Sequence, residues 1–125
     1  MIDLSEVLTI ESWVTSDHHW EHPNIRRYQN RPADHFERMR AEWLRLVALD
    51  DVVLHLGDLV CFGDRTRHPY WVEGLPGQKF LLRGNHDQHS TAWYVAAGFT
   101  VLGRRPLYWR RPDSGEVVCF SHAPE

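Results

Sequence analysis

The sequence predicts an α/β fold in one domain, on three observations. Short apolar runs at 13–16, 52–56 and 79–82 alternate with stretches of helical periodicity. Each run hands the chain to a polar group: Asp17-His18-His19, Gly57-Asp58, or Arg83-Gly84-Asn85-His86-Asp87. The chain has 125 residues, of which 42% are hydrophobic and 25% charged, enough to build one independent core. No internal repeat, low-complexity tract or linker marks a boundary, so residues 1–125 are read as a single domain.

The elements follow in order. Trp13-Val14-Thr15-Ser16 is aromatic and β-branched, which predicts a buried strand. Phe36, Met39, Trp43, Leu46 and Val47 recur at helical spacing after the start signals Pro32 and Asp34, which predicts an amphipathic helix over 33–49. Val52-Val53-Leu54-His55-Leu56 predicts a second buried strand, and Lys79-Phe80-Leu81-Leu82 a third. The stretch between them is rich in Gly and Pro, with a short helix expected at 70–73. A helix over 91–97 and strands at 99–102, 106–110 and 116–120 complete the chain, the last delivering Ser121-His122.

Seventeen acidic and fourteen basic side chains leave a net charge of −3, so the chain lacks the basic field that dominates nucleic-acid affinity. The nine histidines point elsewhere, because imidazole and carboxylate are the ligands divalent metals take. Cys61 and Cys119 are too few for a disulfide framework and fit no zinc ribbon, which implies a reduced, cytoplasmic setting. The first residues show neither a signal peptide nor a membrane span.

Asp17-x-His19, Gly57-Asp58, Gly84-Asn85-His86-Asp87 and Ser121-His122-Ala123-Pro124, in this order and rough spacing, resemble the calcineurin-like metallophosphoesterases. The run 16–25, Ser-Asp-His-His-Trp-Glu-His-Pro-Asn-Ile, is most similar to small bacterial and phage members. The resemblance implies a β-sandwich flanked by helices in α/β/β/α layers. It also implies two divalent ions, manganese, iron or zinc, with Asp58 bridging them. By the same resemblance Asp17 and His19 join Asp58 on one ion, and Asn85 and His122 join it on the other. His86 faces the substrate as a proton donor, with Asp87 placed to orient its ring. A water or hydroxide held by metal would be the nucleophile.

Several residues carry a plainer reading. His55 is expected to be a satisfied core histidine, and His18, His35, His68 and His89 to lie on the surface. His22 stays open between a substrate or metal contact and a loop position. Arg26, Arg27 and Arg31 fit a solvated helix face better than a phosphate site. Cys61 reads as a small buried filler, and Trp13 and Trp43 as core.

Members of this family normally continue to a Gly-His-x-His motif, which this sequence does not contain. The expectation is therefore a truncated form lacking its last strands, with Val117, Val118 and Phe120 on an unfinished edge open to self-association. The function expected is hydrolysis of a phosphomonoester or phosphodiester, of a small molecule or nucleotide, by a cytoplasmic enzyme. A catalytically silent metal- or phosphate-binding module is the alternative, and a nuclease a third reading that the charge does not encourage.

Overall fold

A computed structural model describes residues 3–23 and 31–122. Asn24, Ile25, Arg26, Arg27, Ala123, Pro124 and Glu125 lie outside the described residues. The strands β1 (Trp13–Thr15), β2 (Val52–His55), β3 (Gln78–Leu81) and β4 (Phe99–Val101) form one parallel sheet in the order β1-β2-β3-β4. The strands β5 (Leu107–Arg110) and β6 (Val117–Phe120) pair antiparallel as a second sheet. The helices are α1 (His35–Leu46), α2 (His68–Val72) and α3 (Thr91–Ala96), and a 3-10 turn at Arg65–Arg67 leads into α2.

The strand period of two sends alternate residues to opposite faces of the parallel sheet. Val53, Leu81 and Phe99 go to one face, where they meet Trp43 of α1, Trp71 and Val72 of α2 and Tyr94 of α3. Leu54 and Phe80 go to the other face, against Leu107 and Trp109 of β5 and Leu4 and Leu8. Sheet and helices therefore enclose one core, and the two sheets enclose a second. Among the described residues all three helices serve the first core, which makes three layers. Removing the fully buried Trp71 side chain would cost about 3–5 kcal/mol.

Each predicted element is present, with shifted ends. Helix α1 stops at Leu46 instead of running to Leu49, because Val47 turns extended and the Asp51 carboxylate takes the Ala48 N–H at 2.9 Å. Helix α2 starts at His68, since Asp64 accepts the Thr66 N–H and begins the preceding turn earlier than the apolar pattern indicates.

Three histidines expected at the surface are buried. His18 packs against Trp20 and Trp43 and shares a 2.8 Å hydrogen bond with His55. His35 donates Nδ1–H to the Pro32 carbonyl, and His68 is enclosed beside His89. A neutral imidazole costs little to bury when its nitrogens find partners inside, as both do in His68, and residue type alone does not reveal such partners. Trp13, expected in the core, is 39% exposed on the edge strand and donates its indole N–H to Asp51. On β6, Val118 and Phe120 turn in to the second core, so only Val117 of the expected edge residues is exposed.

Candidate metal centre

The loops after β1 and β2 run side by side beyond the sheet. Asp17 N–H donates to Gly57 O, His19 N–H to Asp58 O, Trp20 N–H to Leu59 O and Cys61 N–H to Trp20 O, at 2.9–3.1 Å. This zipper places the Asp17 and Asp58 side chains beside each other at the carboxyl ends of parallel strands, where α/β sheets place ligand sites.

The backbone here is unusual. Asp17, His19, Glu21, Asp58 and Phe62 all have φ between +52° and +70°, and among the described residues no other non-glycine residue has positive φ. Strain of this kind persists only where surrounding contacts over-determine it, and it gathers at functional sites. Two glycines make the approach feasible. A Cβ on Gly57 would lie 2.6 Å from Gly84 N and 2.7 Å from His122 Nδ1, and one on Gly84 would meet the Asp58 side chain and lie 2.7 Å from His122 Cε1.

The Asp58 carboxylate sits at the middle, 3% exposed. Its Oδ1 accepts the His86 backbone N–H at 2.9 Å. Its Oδ2 lies 2.9 Å from His86 Nδ1 and 3.3 Å from both His19 Nε2 and His122 Nε2. Asp17 Oδ1 lies 3.3 Å from His19 Nε2, and Asn85 Oδ1 lies 2.9 Å from His122 Nε2. All five sequence-assigned metal residues and His86 thus meet around one carboxylate.

His122 indicates what this arrangement is built for. Its Nδ1 lies 2.8 Å from the Leu56 carbonyl, which only accepts, so Nδ1 carries the proton. In the neutral ring, Nε2 then directs a lone pair at the oxygens of Asp58 and Asn85. Lone pair against lone pair is repulsive, and a cation between them removes the conflict. Burial holds His19 below its ordinary pKa against the opposing pull of Asp58 and Asp17, which keeps its ring neutral and able to coordinate. One ligand atom each from Asp17, Asp58 and His122 lie within 4.8 Å of one another, as do those of His19, Cys61 and His86. Carboxylate, imidazole and amide oxygen together suit divalent transition ions.

Asp87 does something other than orient His86. Fully buried, it accepts the backbone N–H groups of Asp58 at 2.7 Å, Leu59 at 2.9 Å and Gly84 at 2.8 Å. Burial raises its pKa, the three N–H donors oppose that, and the Asp58 carboxylate adds to the rise. The group oriented on His86 is Asp58 instead.

Other residues join the site without a clear sequence signal. Arg31 is no solvated helix residue: its guanidinium donates to the carbonyls of Asp17 at 2.8 Å and His18 at 3.0 Å. Arg104 holds the Gly84 and Asp87 carbonyls, and Arg83 those of Asp87 and His89. Cys61 is buried as expected, with Sγ 3.8 Å from His19 Nδ1; burial and the nearby carboxylates push its thiol up, so it is neutral. The His22 ring lies 5.4 Å from that of His19 and 5.7 Å from that of His86, which places it at the rim. A separate hollow of about 290 Å³, lined by Trp13, Val14, Met39 and Trp43, is too apolar for an anionic ester.

Residues 11–124 match the family described as calcineurin-like phosphoesterase. An uncharacterized protein of Methanocaldococcus jannaschii is 35% identical over 113 residues, covering 86% of this chain and 62% of that protein. The Gene 66 protein of Mycobacterium phage D29 is 34% identical over 104 residues, covering 81% of this chain and 50% of its own length. That of phage L5 is 33% identical over 81 residues, covering 61% and 39%. The crystal structure of a protein of unknown function from Aquifex aeolicus is similar at a TM-score of 0.72 and 25% identity, covering 90% of this chain and 60% of that one. The chain belongs to the calcineurin-like phosphoesterase family, whose phosphoester hydrolysis depends on divalent metal. It spans roughly half the length of the relatives it matches.

Proposed function

We propose that this chain carries the two-metal centre of a hydrolase acting on a phosphomonoester or phosphodiester, with Asp58 shared between the ions. Asp17 and His19 would complete one side, and Asn85 and His122 the other. The observation that supports this reading most is the Asp58 Oδ2 atom, within 3.3 Å of imidazole nitrogens from three different loops. Bound ions, whether manganese, iron or zinc, would lower the pKa of water and neutralise charge on the phosphoryl oxygens.

The chain's own groups supply the rest. His86 Nδ1 is engaged by Asp58, which leaves Nε2 to hold or deliver a proton at the leaving oxygen. Asp87 acts at one remove, fixing the backbone of Asp58 and Gly84 and so the position of the shared carboxylate. The substrate is a small phosphoester or nucleotide, the setting cytoplasmic, and the Val117 edge a place for self-association. Among the described residues no helix is long and apolar enough to cross a membrane.

The test compares wild type and His86→Ala, loaded with manganese, on an aryl phosphodiester. Turnover should fall at least 100-fold while metal content stays unchanged. Metal binding by wild type with no turnover of any ester would favour a silent binding module.

A further inference from the structure

The geometry points to Phe62 as the residue that selects the substrate, by packing a flat aromatic or heteroaromatic group carried on the phosphoester. This rests on the phosphoesterase reading above and adds the substrate class. Phe62 follows the Asp58 loop and is 45% exposed at the mouth of the centre. Its ring stands edge-on to the His86 ring at 5.3 Å and to the His22 ring at 5.6 Å. A phosphoryl group at the Asp58 centre, with its leaving oxygen at His86, would direct its substituent past His86 toward this wall. Edge-to-face and stacked aromatic pairs at such separations contribute beyond area burial.

Two features indicate that the wall is held on purpose. The backbone of Phe62 has φ +52°, costly for a bulky side chain, and an aromatic ring left half in water gains little in return. The strain is braced from behind. The Phe62 carbonyl lies 2.5 Å from His68 Nε2 and can only accept, so His68 donates there and its Nδ1 accepts. His68 Nδ1 lies 2.8 Å from His89 Nε2, which therefore donates, leaving His89 Nδ1 to accept from Arg65 at 3.3 Å. Every proton in this chain is fixed from both ends, by a guanidinium that only donates and a carbonyl that only accepts. The His89 ring is stacked on Trp93 at 3.8 Å, which anchors the brace in the helical side of the fold.

The experiment measures binding of phenyl phosphate and of methyl phosphate to the manganese-loaded chain by calorimetry, in wild type, Phe62→Ala and Phe62→Tyr. Wild type should prefer phenyl phosphate. Phe62→Ala should weaken phenyl phosphate about tenfold, the worth of one aromatic contact, and change methyl phosphate less than about twofold. Phe62→Tyr should keep the preference, and a Phe62→Gly chain, free of the backbone strain, should stay folded and lose it. Equal binding of both esters by wild type, or equal weakening of both in Phe62→Ala, would overturn the inference and leave the phosphoesterase reading standing. Binding of neither ester by wild type would remove both.

Discussion

The carboxylate of Asp87 accepts the backbone N–H of Asp58 at 2.7 Å, 29 positions away in sequence. The same side chain takes the N–H groups of Leu59 and Gly84, so one buried residue ties the second loop of the centre to the third. A side chain with acceptor oxygens on both arms is what three converging N–H donors require.

Asp87→Asn should therefore be far more damaging than its volume suggests. The amide offers an acceptor on one arm only, and its NH2 would face N–H donors. A buried donor left unsatisfied costs about 1–3 kcal/mol. Thermal unfolding should show a loss of about 2 kcal/mol or more, with metal content falling alongside. Unchanged stability would mean that the Asp87 bonds do not hold the loops.

Gly84→Ala should disrupt the centre, although Gly84 is no ligand. Its Cβ would lie 2.8 Å from Asp58 N and 2.7 Å from His122 Cε1, so the Asp58 backbone and the His122 ring would both have to shift. Metal uptake measured by calorimetry should be weakened at least tenfold. Gly103→Ala is the control, since nothing lies within 4 Å of the Cβ it would add. Because Gly103 has φ +88°, the control should cost some stability but leave metal uptake intact.

Stability should fall on mild acidification. Burial, then the neighbouring His68, Arg65 and Arg83, holds His89 at about 4, below its ordinary 6.5. His18 is likewise held at about 4, by burial and Arg31. Both are neutral when folded, so between pH 6.5 and 4 the unfolded chain takes up protons that the folded chain refuses. The stabilisation is complete above the unfolded value, declines as pH drops through this window, and levels off below about 4. The loss should be on the order of 2 kcal/mol for each histidine between pH 7 and 5, read as a lowered melting temperature. His89→Gln should flatten part of that dependence. An unchanged slope in the variant would rule His89 out as its source.

Much of the centre is legible in the chain's motifs. Asp17, His19, Asp58 and Asn85 follow strands of the parallel sheet, whose carboxyl ends converge, so their meeting follows from pattern and topology, while His122 arrives from the end of β6 in the second sheet. The runs 52–56 and 79–82 declared their burial by largely apolar character, broken only by His55 and Lys79. What stayed hidden depends on partners far away in sequence. His18, His35 and His68 look like surface residues until the groups that meet their rings are known. Asp87 looks like a partner of its neighbour His86, yet its oxygens reach the backbone of Asp58 and Leu59 instead. Arg31 and Arg104 act on carbonyl groups, which every residue carries, so no residue pattern could announce them. Positive φ at Asp17, His19 and Asp58 likewise goes with the loops' mutual hydrogen bonds, not with glycine in the sequence.

The shared role of Asp58 is the centre of the account, and metal content per chain in wild type, Asp58→Asn and Asp17→Asn tests it most directly. Asp58→Asn replaces the carboxylate that faces His19, His86 and His122 by a neutral amide, and one amide cannot balance two divalent ions. Equilibrated with manganese and freed of loose metal, wild type should hold two ions, Asp17→Asn at least one, and Asp58→Asn close to none. Retention of both ions by Asp58→Asn, with loss in Asp17→Asn, would contradict the account.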